Sequence, residues 1–172
     1  AHSALKLPLN LAHGDAPVCD ISKGTGHAKV LQQCFIIVWD ECTMAHKHAL
    51  EALHLTMQDL RNNKSLMGGV TVLLAGDFRQ TLPVIPRSTG ADELNACLKA
   101  SYLWRSVRTL KLTTNMRVRL SGDQLVGVFS NQLLAFGNGQ ATVDAQTGRS
   151  KFAASFCTLV NSAEELIVKV FP

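Results

Sequence analysis

The 172-residue sequence predicts an α/β fold, a parallel sheet flanked by helices, and three observations carry that prediction. Phe35 to Trp39 is an unbroken run of large apolar residues that ends in a pair of acids, Asp40 and Glu41. Val70 to Ala75 is a second apolar run, and it too closes on an acid, at Gly76-Asp77. Between them, Leu50, Leu53, Met57 and Leu60 recur at spacings of three and four, which gives a helix one apolar stripe. Strands apolar along both faces belong in a parallel sheet covered by helices on each side. Two of them joined through a helix form a βαβ unit.

The elements follow in order. Residues 1 to 30 mix His, Gly, Pro and small polar side chains and read mainly as loop with short elements. A strand is expected at 34 to 39 and a helix from Ala45 to Asn63, with His46 on the same side as Leu50 as a packed or edge histidine. Gly68-Gly69 ends the connection, and the second strand follows at 70 to 75. Pro83 and Pro86 forbid a continuing strand or helix, so 77 to 90 reads as an ordered loop at the strand's carboxyl end. Asp92 to Trp104 reads as helix, and Val107 to Leu112 as a third strand breaking at Thr113-Thr114-Asn115. Leu125, Phe129, Gln132, Leu133 and Phe136 suggest another helix, stopped by Gly137-Asn138-Gly139. Residues 140 to 155 are small and polar, a linker, and Glu164 to Phe171 forms a short amphipathic segment.

Composition excludes several classes. Hydrophobic content of 47% and charged content of 17% describe a globular chain, and 6% aromatics imply a mainly aliphatic core. No apolar run approaches the roughly 18 residues of a membrane span, and no signal peptide opens the chain. The first residue is Ala1, so the chain reads as a piece of something longer. The net charge of +4 is uneven: residues 61 to 119 carry ten Lys or Arg against three acids, and the remainder is net acidic. Such a block suits a phosphate backbone, although a solvated basic surface is equally compatible with it. Five cysteines, odd in number and without a CxxC pair, suit reduced thiols in an intracellular compartment. Cys42, His46 and His48 lie close in sequence at a spacing that fits no common zinc pattern.

Each expected strand end delivers polar groups into a loop: Asp40-Glu41, then Gly76-Asp77-Phe78-Arg79-Gln80, then Asn115-Met116-Arg117. In a parallel sheet these ends share one rim, where ligands bind. A carboxylate for Mg²⁺, a carboxylate base, an amide and a guanidinium together match what phosphoryl transfer needs. Plainer readings stand beside this one. Asp77 can cap its turn, Arg117 can be a surface ion-pair partner, Phe78 can be core, and Trp39 and Trp104 are packing residues.

Trp39-Asp40-Glu41, the stretch Leu74-Ala75-Gly76-Asp77-Phe78-Arg79-Gln80-Thr81-Leu82-Pro83-Val84-Ile85-Pro86, and Leu112-Thr113-Thr114-Asn115-Met116-Arg117 resemble the Pif-type (petite integration frequency) DNA helicases in order and separation. Ala1 to Leu9 looks like that family's DNA-contacting segment after the P-loop helix. Ser101-Tyr102-Leu103-Trp104 and the stretch from Phe156-Cys157 to Pro172 look like the branch found in Helitron-type transposons. The resemblance implies a partial RecA-like P-loop NTPase domain of a superfamily-one motor. Residues 1–139 would be the later part of its first lobe, 140–155 a linker, and 156–172 the start of the following inter-lobe segment.

The roles it implies fall on matched positions. Asp40 would bind Mg²⁺ as the Walker B acid, Glu41 would polarise the attacking water, and Gln80 would contact the γ-phosphate of ATP. Arg117 would stabilise the transition state in cis. His2, Ser3 and Phe78 would contact single-stranded DNA at a duplex junction. The implied function is ATP hydrolysis coupled to translocation and unwinding, in DNA repair, recombination, telomere maintenance or transposon replication. The implied compartment is the nucleus, with the mitochondrion as alternative.

The departures are equally specific. The 172 residues contain no G-x-x-x-x-G-K-[ST], and Lys23-Gly24-Thr25-Gly26 lacks the terminal Lys-Ser/Thr. The P-loop strand, which by family topology would pair with the strand at 70 to 75, is therefore expected to be missing, that strand's apolar edge to be open, and the isolated chain to be inactive. Two other readings remain: a non-catalytic DNA-binding remnant of a decayed transposon helicase, and an unrelated Mg²⁺-dependent hydrolase using Asp40, Glu41 and Asp77.

Overall fold

A computed structural model describes residues 1–8, 18–121, 124–150 and 156–171. The chain divides into two compact units, Ala1–Thr109 and Leu110–Pro172.

The first unit runs α1 (His2–Leu5), α2 (Gly26–Gln33), β1 (Ile36–Trp39), α3 (Lys47–Leu60), β2 (Thr71–Leu74) and α4 (Gly90–Ala96). β1 and β2 pair in parallel, with Ile36 opposite Thr71 and Trp39 opposite Leu74. The βαβ unit is therefore as expected, and α3 explains why it holds. Leu50, Leu53, Met57 and Leu60 are all buried, against Ile37 and Trp39 on the inner face of β1. His46 caps α3 through its ring, Nδ1 accepting from the His48 amide at 3.1 Å.

The other face of the sheet differs from expectation. Ile36, Val38 and Leu73 are exposed, so the apolar run reflects one covered face and one open face. The free edge of β1 opens on a groove of about 770 Å3, lined by Ala4 and Leu5 of α1, Val30 and Leu31 of α2, and β1 itself.

α2 is a full helix where the composition suggested loop. Thr25 caps it, its hydroxyl accepting from the Ala28 amide at 3.2 Å, and Ala28 and Leu31 are buried. Its carboxyl end is held by Arg61 from the far end of α3. The guanidinium Nη1 donates to the carbonyls of Gln32 at 2.7 Å and Cys34 at 3.0 Å, and Nε donates to the Gly68 carbonyl at 2.9 Å. The turn into β2 needs Gly68: its φ is +61°, and a Cβ there would collide with the Met57 carbonyl.

The helix expected over Asp92 to Trp104 is broken into α4 and two 3-10 turns, Leu98–Ala100 and Tyr102–Ser106. α4 begins earlier than expected because Thr89 and Asp92 form a reciprocal capping box. Ser101 sits in extended backbone and interrupts the run, and its hydroxyl donates to Glu51 at 2.7 Å.

The second unit contains α5 (Met116–Ser121), α6 (Gln124–Gly137) and α7 (Ala163–Val170), plus an antiparallel bridge between Val143 and Ser150. Phe129 of α6 stacks on Phe156 at 5.3 Å. The strand expected at Val107 to Leu112 is absent: these residues have no regular structure, and Leu112 is fully exposed. A strand needs a ladder, and the described sheet has only β1 and β2. No helix among the described residues is long and apolar enough to cross a membrane.

Candidate functional site

Parallel pairing puts the ends of β1 and β2 at one rim. One residue beyond the Trp39–Leu74 pair, the Ala75 amide donates to the Trp39 carbonyl at 2.9 Å, and the Cys42 amide donates to the Ala75 carbonyl at 2.9 Å. These two bonds stitch the Asp40-Glu41 loop to the Gly76-Asp77 loop.

Within that stitch the backbone is under strain. Glu41 adopts a left-handed conformation, φ +51° and ψ +38°, which costs a side chain with a Cβ about 1 kcal/mol. It is held there by the Asp40 carboxylate, whose Oδ1 accepts from the Glu41 amide at 3.0 Å, and by the 3-10 turn Cys42–Met44 that follows. Both acids remain exposed to solvent. Strain that presents a carboxylate at a strand's carboxyl end is a recurrent mark of functional sites.

The facing loop is packed against the same turn. A Cβ on Gly76 would lie 2.9 Å from Thr43 Cγ2 and 3.3 Å from the Thr43 amide nitrogen, so a side chain here would have to displace Thr43. Thr43 Oγ1 is itself buried without a partner. Asp77 does what its plainer reading proposed: Oδ1 accepts from the Arg79 amide at 3.0 Å and from Arg79 Nε at 2.9 Å. Those bonds hold the Asp77 carboxyl below the usual carboxylate range. The same turn carries Gln80, whose amide donates to the Asp77 carbonyl at 3.0 Å, and leaves its side chain exposed. Burial, reinforced by Glu41 and Asp40, pushes the neighbouring Cys42 thiol up.

The remaining predicted residues are placed as follows. Phe78 is half-buried, edge-on to Trp104 at 5.6 Å, with the Lys99 ammonium 4.2 Å from its ring centroid. Ser3 is exposed on α1, and the His2 side chain lies outside the described residues. Arg117 belongs to the second unit and stands in the first turn of α5, not in a loop after a strand. Asn115 supports that turn: its Oδ1 accepts from the Val118 amide, and its Nδ2 donates to Ser130 of α6 at 2.8 Å. The structure thus brings together Asp40, Glu41, Asp77 and Gln80 at one rim.

Sequence reasoning missed Thr43, the close approach of Gly76 to it, and Arg61. The first two depend on a through-space approach between loops, which has no sequence signal. Arg61 stood in the basic block and was counted as surface charge.

No group of three or more His, Cys, Asp or Glu side chains among the described residues could hold a metal by itself. The donor set suits Mg²⁺ bound in part by a nucleotide, since Mg²⁺ commonly takes one or two carboxylates and completes its shell with phosphates and water. Asp40 fits that share, with Oδ1 engaged by a backbone amide and its carboxylate otherwise exposed.

Comparison with known proteins gives a consistent result. The family profile of the PIF1-like helicase matches residues 1–147. The ATP-dependent DNA helicase PIF1 of Candida albicans is 27% identical over 129 residues, covering 72% of this chain and 13% of that protein. The ATP-dependent DNA helicase Pif1 of a Psychrobacter strain is 30% identical over 73 residues, covering 42% of this chain and 11% of that protein. The chain thus spans only a small part of the length of either relative. Among solved structures, the Pif1 helicase from Candida albicans superposes with a TM-score of 0.60 at 23% identity, over 79% of this chain and 29% of that one. Pif1 from Bacteroides in complex with ADP-AlF3 and single-stranded DNA gives 0.59 at 17% identity, over 82% and 33%. A parallel pair ending in Asp-Glu and Gly-Asp-Phe-Arg-Gln, inside a match that spans most of the chain, makes this protein a member of the PIF1-like helicase family.

Proposed function

We propose that this chain carries the hydrolytic half of an ATP site in an ATP-dependent DNA helicase, within the first RecA-like lobe. The observation that carries the reading is the rim itself: the register of β1 and β2 sets Asp40-Glu41 beside Gly76 to Gln80, with Glu41 held in a strained, outward conformation.

On this reading Mg²⁺ supplies charge neutralisation for the β- and γ-phosphates, and Asp40 is the side chain that would hold it. Glu41 is the general base: as an exposed carboxylate it accepts a proton from the attacking water, and its fixed backbone keeps it aimed outward. Gln80 hydrogen-bonds the γ-phosphate or orients the water, from a turn that Asp77 and Arg79 make rigid. By its resemblance Arg117 is the cis arginine, whose guanidinium would offset the charge that develops on the transferred phosphoryl group. His2, Ser3 and Phe78 contact single-stranded DNA, Phe78 through whatever ring surface Trp104 and Lys99 leave open. Translocation, unwinding at duplex junctions and nuclear location belong to the same proposal.

The 172-residue chain should not turn over ATP by itself, because nothing in it matches the phosphate-cradling G-x-x-x-x-G-K-[ST]. DNA-stimulated ATP turnover by the purified chain, lost on Glu41→Gln, would refute that part of the proposal. Oligonucleotide binding without any nucleotide dependence, even when the chain is embedded in a longer helicase, would favour the remnant reading instead.

A further inference from the structure

The basic block between residues 61 and 119 is not uniform once its side chains are placed. Arg61 is consumed by backbone carbonyls, Arg79 by Asp77, and Lys99 lies over the Phe78 ring. The Lys64 ammonium and the Arg105 guanidinium make no hydrogen bond or ion pair among the described residues, and both line one pocket of about 230 Å3.

His54 gives that pocket a fixed donor. Its Nδ1 accepts from the Met67 amide at 3.0 Å, so the neutral ring carries its proton on Nε2. The residue is 8% exposed and lines the pocket. Among the described residues Thr43 Oγ1 is the one buried side-chain polar atom sealed off without a partner. Nε2 has no hydrogen-bond partner among the described residues and is not sealed off, and His54 is one of the residues that line the pocket.

The rest of the lining agrees. Tyr102 and Ser106 add hydroxyls, and no carboxylate contributes. Gln58 turns its amide to the Lys64 and Ser65 carbonyls. Glu51, the acid that faces Tyr102, is engaged by the Ser101 hydroxyl. Two unpaired cations, an imidazole N–H and two hydroxyls around an open depression of about 230 Å3 form a receptor for a small oxyanion. The pocket lies beside the α3–β2 connection, at the entry end of β2, whereas Asp40 and Glu41 stand at the strands' exit.

We infer that the pocket of Lys64, Arg105 and His54 binds a phosphate group, and that the group is a backbone phosphate of single-stranded DNA. Lys64 and Arg105 are both exposed, so the mouth admits a phosphodiester that continues in two directions. The choice of DNA as the source rests on the proposed helicase function; the phosphate chemistry does not.

The test is fluorescence anisotropy of a short labelled oligothymidylate with the 172-residue chain across a series of NaCl concentrations. Lys64→Gln/Arg105→Gln, which changes only exposed side chains, should weaken binding and reduce the log–log salt slope by about 0.7, the value for one single-strand phosphate. An unchanged slope overturns the inference and leaves DNA binding itself standing. If the wild-type chain binds no oligonucleotide, inorganic phosphate decides the matter by NMR of the His54 ring. A shift that the double variant abolishes keeps the phosphate pocket and removes DNA as its source; no shift removes the pocket too.

Discussion

Arg61→Ala should cost the first unit about 3 kcal/mol of stability, although the residue looks like surface charge in the sequence. The last carbonyls of a helix have no partner within it, and Arg61 supplies one for the end of α2 while also fixing the turn into β2. Charge-assisted hydrogen bonds contribute about 1.5 to 3 kcal/mol each. The contacts to Gln32 at 2.7 Å and Gly68 at 2.9 Å are the strong ones, and that to Leu31 at 3.3 Å adds little. The site is half-buried, so water replaces part of what is lost, and two bonds at the lower end of the range give the figure of about 3 kcal/mol. Arg61→Lys keeps the charge but not the fork, and should recover no more than about half. Urea unfolding of both variants, followed by far-ultraviolet circular dichroism, measures this. A loss below about 0.5 kcal/mol for the alanine variant, the range of ordinary surface changes, would refute the clamp.

Three further outcomes follow from the rim and the core. Glu41→Gly relieves the left-handed backbone at φ +51° and should raise the melting temperature by a few degrees, worth about 1 kcal/mol; a less stable variant would show that the residue is not strained. Gly76→Ala should cost about 1 to 3 kcal/mol by overpacking against Thr43, and Thr43→Ser in the same chain should recover part of it; strictly additive effects in that double-mutant cycle would disprove the contact. Burial lowers the His54 pKa below 6.5, so the unfolded chain takes up the proton first. The stabilisation from neutral His54 is complete above that value and is lost as pH falls below it, with His46, chiefly through its burial, contributing in the same direction. His54→Gln should flatten the decline in stability between about pH 7 and about pH 5, and an unchanged decline would exclude His54 as its source.

The parts of the fold that were legible in the sequence are those with a strong local period. The stripe Leu50, Leu53, Met57, Leu60 and the two apolar runs gave β1, α3 and β2 because burial against one partner face imposes that spacing. α2 was missed because its helical run, Gly26 to Gln33, is only weakly apolar, although Thr25 as a cap was a usable signal. Val107 to Leu112 misled because strand propensity has no effect without a neighbouring ladder. Asn115 as a helix cap would have placed Arg117 in a helical turn. At the site, the residue types and their order were readable, whereas the Glu41 backbone and the Thr43–Gly76 contact arise only when the two loops meet.

The central claim is that Glu41 is the base of an ATP site completed by other parts of a helicase. The most direct measurement replaces the matched stretch of Candida albicans PIF1 with this chain's residues and follows DNA-stimulated ATP hydrolysis. Turnover should fall about 100- to 10,000-fold on Glu41→Gln while nucleotide binding persists. A folded chimera that hydrolyses ATP at the same rate with Gln at position 41 would contradict it.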